Sequence, residues 1–226
     1  MGSFLSASIG RKFLMSLSGL FLISFLCIHL TLNLFLTFDD SGNLFNLAAH
    51  FMATNPAIKI MEPILALGFV IHLIWSGWIT LQNMRARPQG YAYGDKLLSW
   101  WAPSKNMFIL GGMITVFLVI HLTNFWVKMK LTGDPLLTNV LVGGVEMHNA
   151  YALVSQLFRN PLYDLIYVLG GILVGLHISH GFWSAFQTIG LNNQIWLKRL
   201  KCLAVTFGII FAVGFSYIPL YFMIKF

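Results

Sequence analysis

The sequence predicts an all-α integral membrane protein with five transmembrane helices, and three observations carry that prediction. Hydrophobic residues make up 58% of the 226 and charged residues only 9%, where soluble domains carry about a quarter. Five apolar runs, at about 13–37, 60–82, 107–127, 162–187 and 203–224, each approach the ~20 residues that cross a hydrocarbon core as a helix. The basic residues fall between these runs and form no patch. The whole chain, 1–226, reads as one transmembrane domain.

Residues 1–12 end in Arg11 and Lys12, and no small-x-small cleavage site follows the first run, which is also too long for a signal peptide. The N-terminus and the segments 83–106 and 188–202 hold Arg11, Lys12, Arg85, Arg87, Lys96, Lys105, Lys198, Arg199 and Lys201. The opposite side holds Lys59, Lys128, Lys130, Arg159 and Lys225, with six of the seven acids. Lysine and arginine mark the cytoplasmic side, so the N-terminus is expected inside and the C-terminus outside. The net charge of +7 is then topological, and no nucleic-acid surface is expected. Cys27 and Cys202 fall at different expected depths, so no disulfide is predicted. In the outer segment 128–161, Met147, Tyr151, Val154 and Phe158 recur at helical spacing. This predicts a short amphipathic helix capping the bundle, which Pro161 separates from the fourth span.

Four of the five runs contain a histidine: His29, His72, His121 and His177. An ionisable side chain inside a bilayer is costly, so it faces the bundle interior and marks a function. Counted at ~1.5 Å per residue from the nearest inner charge or helix stop, His29 and His121 stand about 25 and 24 Å up, and His72 and His177 about 20 Å. Sequence similarity sorts them the same way. Residues 25–31 read FLCIHLT and 117–123 read FLVIHLT, while His72 and His177 are each followed six positions later by a tryptophan, Trp78 and Trp183.

Two imidazoles from facing helices are what a six-coordinate haem iron takes as axial ligands. The chain has no C-x-x-C-H, so attachment would be non-covalent, as in haem b. Two pairs imply two haems, in a four-helix bundle with one additional helix. Ser18, Gly170 and Gly181 fall near the histidine faces and offer a close approach for a macrocycle. His180 lies about 60° off the His177 face, and is an alternative ligand, a hydrogen-bond donor to a propionate or quinone, or an interfacial side chain. His50, in a segment able to fold over the outer pair, and Glu62, at the outer end of its helix, are candidates for a quinone site. A histidine proton path and a zinc site are the rival readings. The first lacks a carboxylate at mid-span, and the second wants four ligands at one depth.

The chain resembles the dihaem cytochrome b membrane anchor of succinate dehydrogenase and fumarate reductase, the single-chain five-helix type. The resemblance rests on Ser18, Gly19, Phe25, His29 and Asn33, on His72 with Thr80, Asn83 and ARPQGY from Ala86 to Tyr91, on HLTNFW from His121, and on HISHGFWSAFQTIGLN from His177 to Asn192. It implies that His29 and His121 ligate a distal haem, and His72 and His177 a proximal one. Family spacing H-x-x-x-G is met by His177 and Gly181. The resemblance also implies menaquinone as substrate, and iron-sulfur and FAD-bearing flavoprotein subunits at the cytoplasmic face of a bacterial inner membrane, near Arg85, Arg87, Lys96 and Lys105. The dicarboxylate chemistry would then belong to the flavoprotein. Some menaquinol-oxidising members carry a glutamate two positions before the last ligand; here that position is Gly175, which puts transmembrane proton coupling in doubt. A hydrogenase or formate dehydrogenase anchor, and a haem-free proton-coupled transporter, are the alternatives.

Overall fold

The computed structural model describes residues 8–86, 103–191 and 193–226. Arg87, Lys96 and most of the ARPQGY stretch lie outside the described residues, as does Asn192. Among the described residues, five helices are long and apolar enough to cross a membrane, making this a multi-pass membrane protein. They are α1 (Ser8–Phe38), α3 (Pro56–Ala86), α4 (Pro103–His121, continued as a π-helix over Leu122–Thr132), α6 (Pro161–Thr188) and α7 (Gln194–Lys225). Between them lie α2 (Asn43–Thr54), a hairpin of β1 (Asn139–Val142) and β2 (Val145–His148), and α5 (Ala150–Leu157).

The spans are longer than their apolar runs. Lys198, Arg199 and Lys201, expected in a connecting loop, lie instead on the first turns of α7, and Arg85 on the last turn of α3. Nothing in a charged side chain ends a helix once it has left the hydrocarbon; caps do. Asn193 accepts from Trp196 N–H at 2.9 Å and Asn160 from Leu162 N–H at 3.0 Å, which fixes the starts of α7 and α6.

The expected short helix between the third and fourth spans is present but begins at Ala150, so Met147 belongs to β2. Its four marker residues still share an environment: Met147, Val154 and Phe158 are buried and Tyr151 half-buried. The hairpin is dictated by Gly143 and Gly144, both at positive φ (59° and 82°), as a two-residue type I′ turn demands. Asn46, buried on α2, ties this region together. Its Nδ2 donates to Asn149 Oδ1 at 3.2 Å and its Oδ1 accepts from Tyr151 N–H at 2.8 Å. Leu36, Phe45, Val154, Phe158, Tyr167 and Phe222 then form one apolar core beneath the cap.

Helices α1, α3, α4 and α6 contact one another in a ring, with α3 against α4 the slightest side, and α7 packs outside on α6 and α1. The α6–α7 seam is the closest. A Cβ on Gly175 would overlap the Gly208 carbonyl oxygen and stand 2.7 Å from Ala212 Cβ, and one on Gly208 would stand 2.7 Å from the Gly175 carbonyl oxygen. Small residues of this kind let two backbones approach in lipid, where packing replaces the hydrophobic effect.

Two outcomes are expected. Gly175→Leu must part the seam, costing about 1–3 kcal/mol or more, read as a lower unfolding temperature in detergent. Asp39 is held below the usual carboxylate range by hydrogen bonds from the Ser41 hydroxyl and from the backbone N–H groups of Leu44 and Ser41. That contribution is in full force above the ordinary carboxylate pKa and is lost as pH falls through the depressed one. Exchange of the Leu44 amide therefore speeds at neutral pH in Asp39→Ala, whereas in the unaltered protein the bond is lost only in acid.

Candidate functional site: two histidine pairs across the bundle

In a ring of four helices, α1 lies diagonally opposite α4, and α3 opposite α6. Both diagonals are bridged by histidines. The ring centroids of His29 on α1 and His121 on α4 are 5.7 Å apart with planes at 83°. Those of His72 on α3 and His177 on α6 are 6.4 Å apart at 68°.

Antiparallel register makes these pairs level. On α1 and α3, Ser18 meets His72 and Phe21 meets the backbone at Gly68. On α4 and α6, the edge of His177 lies near Gly111 and Tyr167 packs on both Phe117 and His121. The His72 level is therefore that of Ser18, eleven residues before His29, and the His177 level that of Gly111, ten before His121. At ~1.5 Å per residue the pairs stand about 15 Å apart along the bundle, not the roughly 5 Å that counting from flanking charges suggests. Arg85 and Gly190 are not level with Lys12 and Lys105, because α3 and α6 run on past the bundle's edge opposite the cap.

The surroundings differ between the pairs. The pair nearer the cap, termed the outer pair, sits among rings: Phe25 stacks on His29 at 5.2 Å, Phe215 of α7 lies 5.9 Å from it, and Phe125 is 5.3 Å from His121. Tyr167 is 5.9 Å from His121, and its hydroxyl accepts from the buried Asn124 Nδ2 at 3.1 Å. Asn33 Nδ2 donates to the His29 carbonyl at 2.7 Å and reaches His29 Nδ1 only at 3.4 Å. In the inner pair one ring has a polar contact and the other has none. Ser18 Oγ is 3.1 Å from His72 Nδ1, while His177 Nδ1 is buried with no hydrogen-bond partner.

The remaining candidates are placed as follows. Gly170 is buried between the levels of the two pairs, where an added Cβ would overlap the Phe117 ring. Gly181 faces Met107, whose Cε would lie 3.9 Å from an added Cβ, an ordinary van der Waals contact. His180 packs edge-on against Trp183 at 4.9 Å, over which Lys201 Nζ lies at 4.9 Å. His50 is half-buried on α2. Glu62 accepts from Trp126 Nε1 at 2.6 Å and pairs with Lys130 at 3.1 Å, joining α3 to the π-helical extension of α4. Gly175 faces the backbone of α7, so the position leaves no room for any side chain.

Tyr167 and Asn124 escape a reading that looks only for histidines. Their signal is the register: Tyr167 lies ten residues before His177, the same interval as Gly111 before His121. Compared with protein-family models, curated proteins and solved structures, the chain matches none.

Tyr167→Phe leaves the Asn124 amide buried without its acceptor, at a cost of about 1–3 kcal/mol. A lower unfolding temperature for Tyr167→Phe, but not for exposed Tyr217→Phe, is the expected result.

Proposed function

We propose that this chain is a dihaem cytochrome b: a membrane anchor passing electrons between an iron-sulfur partner at the end bearing the N-terminus and a quinone, menaquinone by resemblance, near the capped end. The observation that carries it is the pair of histidine bridges along the two diagonals. A first-row metal sits about 2 Å from an imidazole nitrogen, which puts the centroids of two axial rings about 6 Å apart; the two pairs lie at 5.7 and 6.4 Å. Among the described residues no three of His, Cys, Asp or Glu converge on one point. Each pair would thus supply two imidazole ligands to one metal-bearing group, whose remaining ligands would come from a macrocycle.

Haem b, when bound, supplies a one-electron iron couple. His29 and His121 would hold one group and His72 and His177 the other, about 15 Å apart by the helical rise, so each pair serves its own. Phe25, Phe125, Tyr167 and Phe215 give the outer pair an aromatic lining. Lys12 and Arg85, at the end opposite the cap, would face the iron-sulfur and FAD-bearing flavoprotein subunits of a succinate:quinone oxidoreductase, which carry the dicarboxylate chemistry. The setting is then a bacterial inner membrane with the N-terminus in the cytoplasm. Glu62 and His50 lie at the end where the quinone would bind.

The test is the haem b content of the detergent-purified protein by pyridine haemochrome absorbance, with identification of the subunits that co-purify. About two per chain is expected, and His72→Ala or His177→Ala should each leave about one. Absence of haem from material of haem-replete cells overturns the reading. A co-purifying hydrogenase or formate dehydrogenase subunit reassigns the partner.

A further inference from the structure

We propose that Ser18 is a positioning residue that fixes the tautomer of His72, presenting Nε2 of that ring, and not Nδ1, to a metal. The inference rests on the haem reading above and deepens it. Three observations on the inner pair lead to it.

A serine hydroxyl has one proton to give. Ser18 Oγ lies 3.0 Å from the backbone carbonyl of Met15, an atom that can only accept. The hydroxyl proton therefore goes to Met15, and Oγ turns its lone pairs toward His72 Nδ1 at 3.1 Å. The contact is a hydrogen bond only if Nδ1 carries the proton and donates it. A neutral imidazole has one N–H, so Nε2 is left with a free lone pair, and among the described residues nothing hydrogen-bonds it.

Gly19 completes the seat. A Cβ at that position would stand 3.4 Å from His72 Cε1 and 3.8 Å from Nδ1, so the bare backbone of α1 receives the Nδ1–Cε1 edge of the ring. Ser18 and Gly19 together orient one imidazole from a neighbouring helix.

Among the described residues, none of the other three rings has such an acceptor. The Asn33 group near His29 Nδ1 is an amide nitrogen, a donor that cannot take a proton from Nδ1, and it is spent on the His29 carbonyl. His177 Nδ1 has no partner, and no hydrogen bond reaches the His121 ring among the described residues. Hydrogen bonding to the far nitrogen of a ligating histidine raises its basicity and tunes the metal it holds. Ser18 thus makes the two ends of the bundle electronically unequal, lowering the potential of the inner group through a more basic ligand.

The experiment is a potentiometric titration of the full-length protein, purified with whatever subunits it carries, as the unaltered chain and as Ser18→Ala and Ser18→Thr. The component belonging to the inner pair is the one lost in His72→Ala. Its midpoint potential should rise in Ser18→Ala and return in Ser18→Thr, with the other component unmoved. Two haems at unchanged potentials in Ser18→Ala overturn the proposal and leave the haem reading intact. Absence of haem from the unaltered chain overturns the haem reading, and the tautomer is then read without it, by nitrogen-15 NMR of the histidines. His72 protonated at Nδ1 in the unaltered chain, and shifted toward an Nε2–H mixture in Ser18→Ala, upholds the role of Ser18. His72 protonated at Nε2 in the unaltered chain overturns it.

Discussion

Everything at the centre of this molecule depends on the antiparallel registers of α1 with α3 and of α4 with α6. A helix turns about 100° per residue, so a slip of one residue in either pairing would swing an imidazole off its diagonal. The registers are fixed by shape. The Phe21 ring sits against the bare backbone at Gly68, and Phe117 does the same at Gly170. Aromatic knobs on glycine holes set depth and rotation together, which polar contacts in lipid do weakly.

The molecule divides into a tight side and a loose one. Along α6 and α7, glycines bring two backbones together, and α7 sends Phe215 to His29 and Phe211 into a core with Leu30 and Ile178. Across the ring, α3 has no buried residue and touches α4 little. The Glu62, Trp126 and Lys130 cluster is what holds those two together at the capped end. This side chain latch depends on the π-helical stretch beginning just after His121, a geometry that recurs at functional sites. One helix thus serves the histidine pair, the Asn124–Tyr167 bond and the latch.

The spans and the two histidine pairs were legible in the sequence because lipid imposes length and polarity on a helix, and because FLCIHLT and FLVIHLT repeat. The 15 Å spacing was not, since flanking charges such as Lys12 and Arg85 need not lie at one level. The hairpin was missed: its signal is Gly143–Gly144, but the helical spacing of Met147, Tyr151, Val154 and Phe158 drew all four into one helix. In the structure, Met147 reaches the same core from a strand. The partners that orient each ring were the least legible. Ser18 is fifty-four positions from His72, and only the fold makes them neighbours.

Each diagonal joins a helix from the first half of the chain to one from the second: α1 to α4, and α3 to α6. Neither half, inserted alone, contains a facing pair. During synthesis the first bridge can close only after α4 has entered the membrane, and the second only after α6. Closure of both bridges is therefore a report on finished insertion, and a chain stalled after α3 displays two histidines with nothing opposite them.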